Sequence, residues 1–245
     1  MQVDSLALRL RPRTPYEAAD LGTRLCQSAY RDVYKCYLVV AIPVFLLCMA
    51  SVEIAYWLPA LTVYWFKPWL DRTILFVLAR AAFGQRTSLL DLWRAQRQVW
   101  WSQLFITLTW RLLSPWRSFT QPVYQLEGLR GADLRARVRQ IRAGRTRAGT
   151  GILSAFSCAE TALVAALTSP IFWFAPQGSG IGLRTLLQWG TGNSGWFDFA
   201  VTLAYAATIG FVEPFFVAAG FALYLSRRAE LEAWDIEQEF RRAFA

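Results

Sequence analysis

The sequence predicts an all-α, polytopic membrane protein, because three features indicate lipid rather than water as its main solvent. The 245 residues are 55% hydrophobic, with a mean hydropathy of +0.27. The 12 Trp residues belong to an aromatic fraction of 16%, typical of proteins anchored at a membrane interface. The stretch 199–225 is apolar except for Glu213. As a helix it would be roughly 40 Å long, more than the thickness of the hydrocarbon core of a bilayer.

Four transmembrane helices are predicted, with interfacial amphipathic helices between them. The first two runs are shorter than the roughly 20 residues of a straight span, so we expect flanking aromatic residues to complete them. Proline rings disrupt helical hydrogen bonding, so kinks are expected at Pro43 and Pro214. The predicted spans are 37–51, 54–66, 152–173 and 199–225. Lys67 and Pro68 are expected to stop the second of them.

Two further apolar segments leave the number of spans open. The segment 71–85 contains Arg72 and Arg80, which favours a helix at the interface with both arginines reaching toward water. Ser88 with Asp91 is expected to cap a short amphipathic helix, which the segment 99–113 follows. This segment has about 15 residues, a length that suits either a short span or an interfacial helix. Counting both segments as spans gives six transmembrane helices, which is the alternative to four.

The first 36 residues are predicted to form a cytoplasmic leader that contains one amphipathic helix. Thr14 suits the N-cap, Pro15 the first helical position, and Glu17 the end of a capping box. The apolar side of this helix is expected to lie on the membrane surface or against a cytoplasmic partner. Residues 227–245 are predicted to form an amphipathic cytoplasmic tail, and the chain 1–245 is predicted to be one helical membrane domain.

A strongly basic loop is predicted between residues 115 and 149. Its stripe of Leu134, Val138 and Ile141, flanked by arginines, is typical of a basic surface helix. We expect this loop to bind anionic lipid headgroups or a protein partner. Its candidate binding residues are Arg130, Arg135, Arg137, Arg139, Arg142, Arg145 and Arg147.

The distribution of cations predicts the orientation of the chain. The net charge is +9, and the cations cluster at the ends of the apolar runs. This clustering favours contact with anionic lipid headgroups over nucleic-acid binding. The positive-inside rule then predicts four spans, with both termini and the basic loop in the cytoplasm.

No catalytic, metal or cofactor site is predicted. The chain contains no His, which is the commonest general base and metal ligand. It also lacks a recognisable nucleophile–base arrangement, a metal-binding motif and a phosphate-binding glycine loop. We therefore expect a protein that is not an enzyme.

The candidate functional residues are ionisable groups inside or near the predicted spans: Glu53, Arg80, Glu160 and Glu213. One hypothesis is that Glu160 and Glu213 form a proton or ion relay. The other is that they are structural, for example with Glu213 paired to Arg80 or Arg72 to tie helices together.

Six segments of the chain carry a resemblance to a known family: 11–18 (RPRTPYEA), 67–72 (KPWLDR), 117–119 (RSF), 124–131 (YQLEGLRG), 220–228 (GFALYLSRR) and 232–237 (EAWDIE). They resemble the membrane part of an uncharacterised proteobacterial family. Members of that family tend to be encoded beside MoxR-type AAA+ ATPases and von Willebrand factor A-like proteins. The resemblance implies a membrane-anchored subunit of a chaperone-like or envelope-maintenance system in the bacterial inner membrane.

Two functions are therefore expected. The first is a non-enzymatic membrane scaffold or anchor that presents a basic cytoplasmic face to a protein partner. The alternative is a small transporter or lipid-handling protein that uses Glu160 and Glu213. The absence of a visible inverted repeat disfavours the common designs of secondary transporters.

Overall fold

A computed structural model of the chain describes residues 14–102, 104–109, 114–174, 185, 189 and 195–232. Within these residues the regular structure is entirely helical, which confirms the all-α part of the predicted fold class. The helices are α1 (Pro15–Ser28), α2 (Tyr30–Met49), α3 (Leu58–Ala82), α4 (Leu89–Arg94), α5 (Leu104–Leu108), α6 (Arg117–Leu126), α7 (Gly131–Arg142), α8 (Thr146–Trp173) and α9 (Gly195–Glu232).

In the part of the chain that the structure describes, three helical segments are long and apolar enough to cross a membrane. They are Tyr30–Glu53, Thr146–Trp173 and Gly195–Glu232. Each contains one predicted span, and α9 is the longest, at 38 residues or roughly 57 Å. The second predicted span, 54–66, lies mostly in α3, whose following turns contain several charged side chains. The total of four or six spans is therefore not confirmed.

Helix α3 differs from the prediction. A span was expected to end at Lys67 and Pro68, and a separate interfacial helix was expected to start at residue 71. Instead, α3 runs unbroken through these positions. A proline inside a helix costs one hydrogen bond without necessarily ending the helix. The charges of Lys67 and Asp71 are met by ionic partners inside the protein, so they need no place at the membrane surface.

Helix α1 begins as predicted, but its apolar side is covered by the chain itself. The Thr14 side chain accepts a hydrogen bond from the Glu17 backbone N–H, with Pro15 in the first turn. The buried side of α1, which includes Ala18, Gly22 and Leu25, packs against α9. A Cβ on Gly22 would lie 2.3 Å from the Ala218 carbonyl oxygen, so only glycine permits this approach.

The segment 97–113 is not a continuous helix where the structure describes it. A π-helical turn at Arg97–Trp101 ends at Ser102, whose backbone is extended, and α5 is only 5 residues long. Arg72 holds this bend in place, because its guanidinium donates to the carbonyls of Gln98 and Val99. Residues 110–113 lie outside the described part of the chain.

The core of the protein surrounds the second half of α9. Helices α1, α3, α6 and α8 all pack against α9, and its side chains from Val212 to Leu225 are almost all buried. Pro43 and Pro214 lie inside α2 and α9, respectively. The predicted tail helix is described only to Glu232, and the loop 177–196 is described only at its last two residues and at positions 185 and 189.

Candidate functional site

Four helices bring five charged side chains together inside the protein. Lys67 and Asp71 are four residues apart on α3 and so lie on the same face of that helix. The other three members come from α6, α8 and α9, one from each. We call this group the ionic cluster: Lys67, Asp71, Arg117, Glu160 and Glu213.

Lys67 links the two glutamates that the sequence singled out. Its Nζ lies 2.8 Å from Glu160 Oε1 and 2.9 Å from Glu213 Oε2. The Lys67 side chain is 4% exposed, and the side chains of Glu160 and Glu213 are 15% and 0% exposed. Because burial removes the hydration of all three groups, each depends on the others for its stabilisation.

Arg117 forms the second cationic centre of the ionic cluster. One of its terminal nitrogens lies 2.5 Å from Glu213 Oε1, and its Nε lies 3.5 Å from Asp71 Oδ2. Its guanidinium carbon also lies 5.1 Å from the centre of the Phe216 ring, within the range of a cation–π contact. Arg117 therefore ties α6 to both α3 and α9.

A pattern of side chains on α9 explains how α6 comes so close. Glu213, Phe216, Gly220 and Tyr224 recur at intervals of three or four residues, which places them on one side of the helix. A Cβ on Gly220 would lie 2.4 Å from Ser118 Cβ, so glycine is required there. Tyr224 donates a hydrogen bond of 2.7 Å to Glu127, just beyond the end of α6.

A cavity of about 250 Å³ reaches the ionic cluster from between α3, α6 and α8. Its walls combine charged groups, hydroxyl groups and apolar side chains. Glu160 is the most exposed cluster member, so it is the group best placed to meet water or a polar headgroup in the cavity. The lining residues are Tyr64, Lys67, Ser114, Pro115, Arg117, Leu153, Phe156, Ser157, Glu160 and Phe216.

The structure unites two of the four ionisable residues predicted from the sequence and leaves two apart. Glu160 and Glu213 share Lys67, whereas Glu53 is exposed at the end of the short helical turn after α2. Arg80 lies 3.6 Å from Asp91. The prediction that Glu213 pairs with Arg80 or Arg72 is therefore wrong, since Lys67 and Arg117 hold Glu213.

Three members of the ionic cluster were missed by the reading of the sequence. Lys67 looked like a signal that stops a span, Asp71 like the start of an interfacial helix, and Arg117 like part of the basic loop. The spacing of Lys67 and Asp71 was an available signal, because opposite charges one turn apart on an apolar helix need partners. No pattern in the sequence indicated Arg117.

The predicted basic surface helix is α7, and its apolar stripe is buried at Val138 and Ile141. Two of the predicted arginines bind carboxylates within the chain. Arg137 donates to Glu127 at 2.9 Å and also contacts Glu232, and Arg145 contacts Glu230. Burial lowers the pKa of Arg137, but its hydrogen bonds to Glu127 and Glu232 outweigh that effect and raise the pKa above its ordinary value.

The remaining arginines form a second candidate site, on the surface. Arg142 stacks over the Trp116 ring, with its guanidinium carbon 3.6 Å from the ring centre. Arg130, Arg135, Arg139 and Arg147 are exposed. A groove of about 450 Å³ runs along this surface; we call it the basic groove, and its lining is Tyr124, Ala132, Arg135, Val138, Arg139 and Arg142.

Neither known families nor known structures supply a function for these sites. Comparisons with protein-family models, curated proteins and solved structures find no match to this chain. Across the described residues, no group of three or more His, Cys, Asp or Glu side chains is arranged to hold a metal ion.

Proposed function

We propose that this protein is a non-enzymatic scaffold or anchor subunit of the bacterial inner membrane. In this proposal the chain crosses the membrane several times, with both termini and the basic groove in the cytoplasm. Its partner is an acidic surface of a cytoplasmic protein, and the resemblance noted above favours a MoxR-type ATPase system in envelope maintenance.

The observation that supports the proposal is that the arginines around α7 have two different roles. Arg137 and Arg145 fix α7 and the start of α8 to the end of α9 through Glu232 and Glu230. Arg135 and Arg139 form no ion pair with the described residues and are exposed at the basic groove. A helix with exposed cations suits carboxylate recognition, because the guanidinium group can bind a carboxylate through two hydrogen bonds.

The basic groove also offers a limited apolar floor, through Val138 and the ring of Tyr124. This combination fits an acidic peptide segment that carries an aliphatic or aromatic side chain. Electrostatic complementarity would set the partner and the association rate, while the apolar contact would add affinity.

Charge reversal tests the scaffold proposal. The variant Arg135→Glu/Arg139→Glu is expected to lose its co-purifying cytoplasmic partner from native membranes while keeping normal insertion. The matched control is Arg31→Glu/Lys35→Glu, an equal change of charge at two exposed positions of α2. Binding that stays unchanged in the groove variant, or is lost equally in both variants, would rule out the basic groove as the docking site.

The alternative function is a small transporter or lipid-handling protein that works through Glu160 and Glu213. The observation in its favour is the cavity of about 250 Å³ that brings polar space to Glu160 and Lys67. We expect Glu213→Gln to change proton or solute flux in liposomes if this function is present. Liposomes with the wild-type protein that show no flux above protein-free vesicles would remove the alternative.

A further inference from the structure

The ionic cluster carries one uncompensated negative charge when all its members are ionised. Asp71, Glu160 and Glu213 supply three negative charges, against two positive charges from Lys67 and Arg117. The cluster lies in the protein interior, where an uncompensated charge is costly because water cannot stabilise it. One further positive charge would make the cluster neutral.

Asp71 is the carboxylate with the weakest support. Its side chain is fully buried, and neither of its carboxylate oxygens accepts a hydrogen bond from any residue that the structure describes. Its nearest cation is Arg117 Nε at 3.5 Å, whereas Glu213 has a guanidinium nitrogen at 2.5 Å and Lys67 Nζ at 2.9 Å. Both cations are therefore held more closely by Glu213 than by Asp71.

The Asp71 and Glu213 carboxylates also face the same guanidinium group, because Arg117 meets Asp71 through its Nε and Glu213 through a terminal nitrogen. Two ionised carboxylates that share one cation repel each other, and both can only accept hydrogen bonds. A single proton turns one of them into a neutral donor and relieves this repulsion. The proton removes the excess charge in the same step.

We propose that Asp71 and Glu213 together bind one proton at neutral pH, so that the ionic cluster is electrically neutral. The proton resides mainly on Asp71, because Glu213 is the carboxylate that both cations contact. Proton binding of this kind is independent of any role of the protein as a scaffold.

Other titratable groups surround the pair on each packed helix. Lys67 and Arg117 oppose loss of a negative charge, whereas Glu160 favours uptake of the proton. The tyrosine hydroxyl groups can donate or accept hydrogen bonds. These groups are Tyr37 on α2, Tyr64 and Lys67 on α3, Arg117 on α6, Glu160 on α8 and Tyr205 on α9.

Infrared spectroscopy of the full chain in lipid nanodiscs tests the proposal. Ordinary carboxyl groups, with pKa values of about 4, are ionised at pH 7.5 and give no carboxylic-acid C=O stretching band. We expect the wild-type protein to show such a band at pH 7.5, with an intensity of one group per chain. The Asp71→Asn variant should lose the band.

The control is Glu53→Gln, which changes an exposed carboxylate outside the ionic cluster and should leave the band intact. Asp71→Asn should also keep the thermal transition of the wild type, because a neutral amide can donate a hydrogen bond as the protonated acid does. A wild-type protein without the band overturns the proposal, and so does an Asp71→Asn variant that retains the band or fails to fold. A bound metal cation in place of the proton would appear as the first of these results.

Discussion

Helices α8 and α9 are both apolar enough to cross a membrane, yet their surroundings differ completely. None of the most apolar stretch of α8 is buried inside the protein, whereas 78% of that of α9 is buried. Each helix carries one glutamate of the ionic cluster, and Lys67 bridges the two. A bilayer or a partner would surround the apolar part of α8, whereas other parts of the same protein surround most of α9.

This contrast shows that apolarity alone does not distinguish a lipid-facing helix from a central one. Two glycines illustrate how differently the helices can be surrounded. Gly220 of α9 meets Ser118 at close range, whereas Gly151 of α8 faces open space. Close helix approach through small residues is a common way of packing helices in membranes, because it increases van der Waals contact.

The largest expected effect is a difference in stability between a variant that removes the partner of Glu213 and a variant of Glu160. Arg117→Met removes the cation that binds Glu213 and Asp71, and we expect it to lower the free energy of unfolding by about 3–5 kcal/mol because buried carboxylates lose their counter-charge. Glu160→Gln on α8 should cost about 1 kcal/mol, because Lys67 keeps Glu213 and the amide oxygen still accepts a hydrogen bond. Denaturation by SDS in mixed micelles measures both changes. Equal losses would contradict the central place of α9.

A smaller effect is expected from adding one methyl group to each helix. Gly220→Ala places a Cβ against the backbone and side chain of Ser118, so it should lower the free energy of unfolding by about 1–3 kcal/mol. Gly151→Ala meets no neighbouring atom within 4 Å and should be neutral or stabilise by up to about 1 kcal/mol, the difference in helix propensity. The same SDS titration applies. A destabilised Gly151→Ala variant would mean that α8 is covered as tightly as α9.

The reactivity of the four thiols should also differ between the buried and the exposed positions. Cys26, Cys36 and Cys48 are buried, whereas Cys158 on α8 is exposed. Burial raises the pKa of Cys26 to about 12, which keeps this thiol protonated and unreactive at neutral pH. A small uncharged maleimide should therefore label Cys158 faster than any of the three buried cysteines of the folded chain in detergent, and all four cysteines after denaturation. Mass spectrometry identifies the site, and rapid labelling of Cys26 would show that α1 does not cover α9.

Local signals in the sequence predicted several elements well. The capping motifs placed the starts of α1 and α4, where the side chains of Thr14 and Ser88 accept hydrogen bonds from backbone N–H groups as expected. The apolar stripe at Val138 and Ile141 predicted the buried face of α7. These signals act over one or two helical turns, so they can be read without knowledge of the fold.

The prediction failed where distant parts of the chain supply the partner. Lys67 and Pro68 were expected to end a helix, but Glu160 and Glu213 neutralise the lysine and the helix continues. The predicted partner of Glu213 was likewise wrong. Arg117, which binds Glu213, lies 96 residues away along the chain. The apolar side of α1 was assigned to a membrane surface or another protein, although α9 covers it.

The sequence by itself determined that this chain forms apolar helices, where two of its caps lie, and that Glu160 and Glu213 are unusual. Only the tertiary structure decided that α9 is the central helix and that Lys67, Asp71 and Arg117 join the two glutamates. The physical reason is that lipid and protein interior are both apolar surroundings, so a helix buried in either has much the same composition. A buried charge, in turn, reveals that it needs a partner but not which helix provides it.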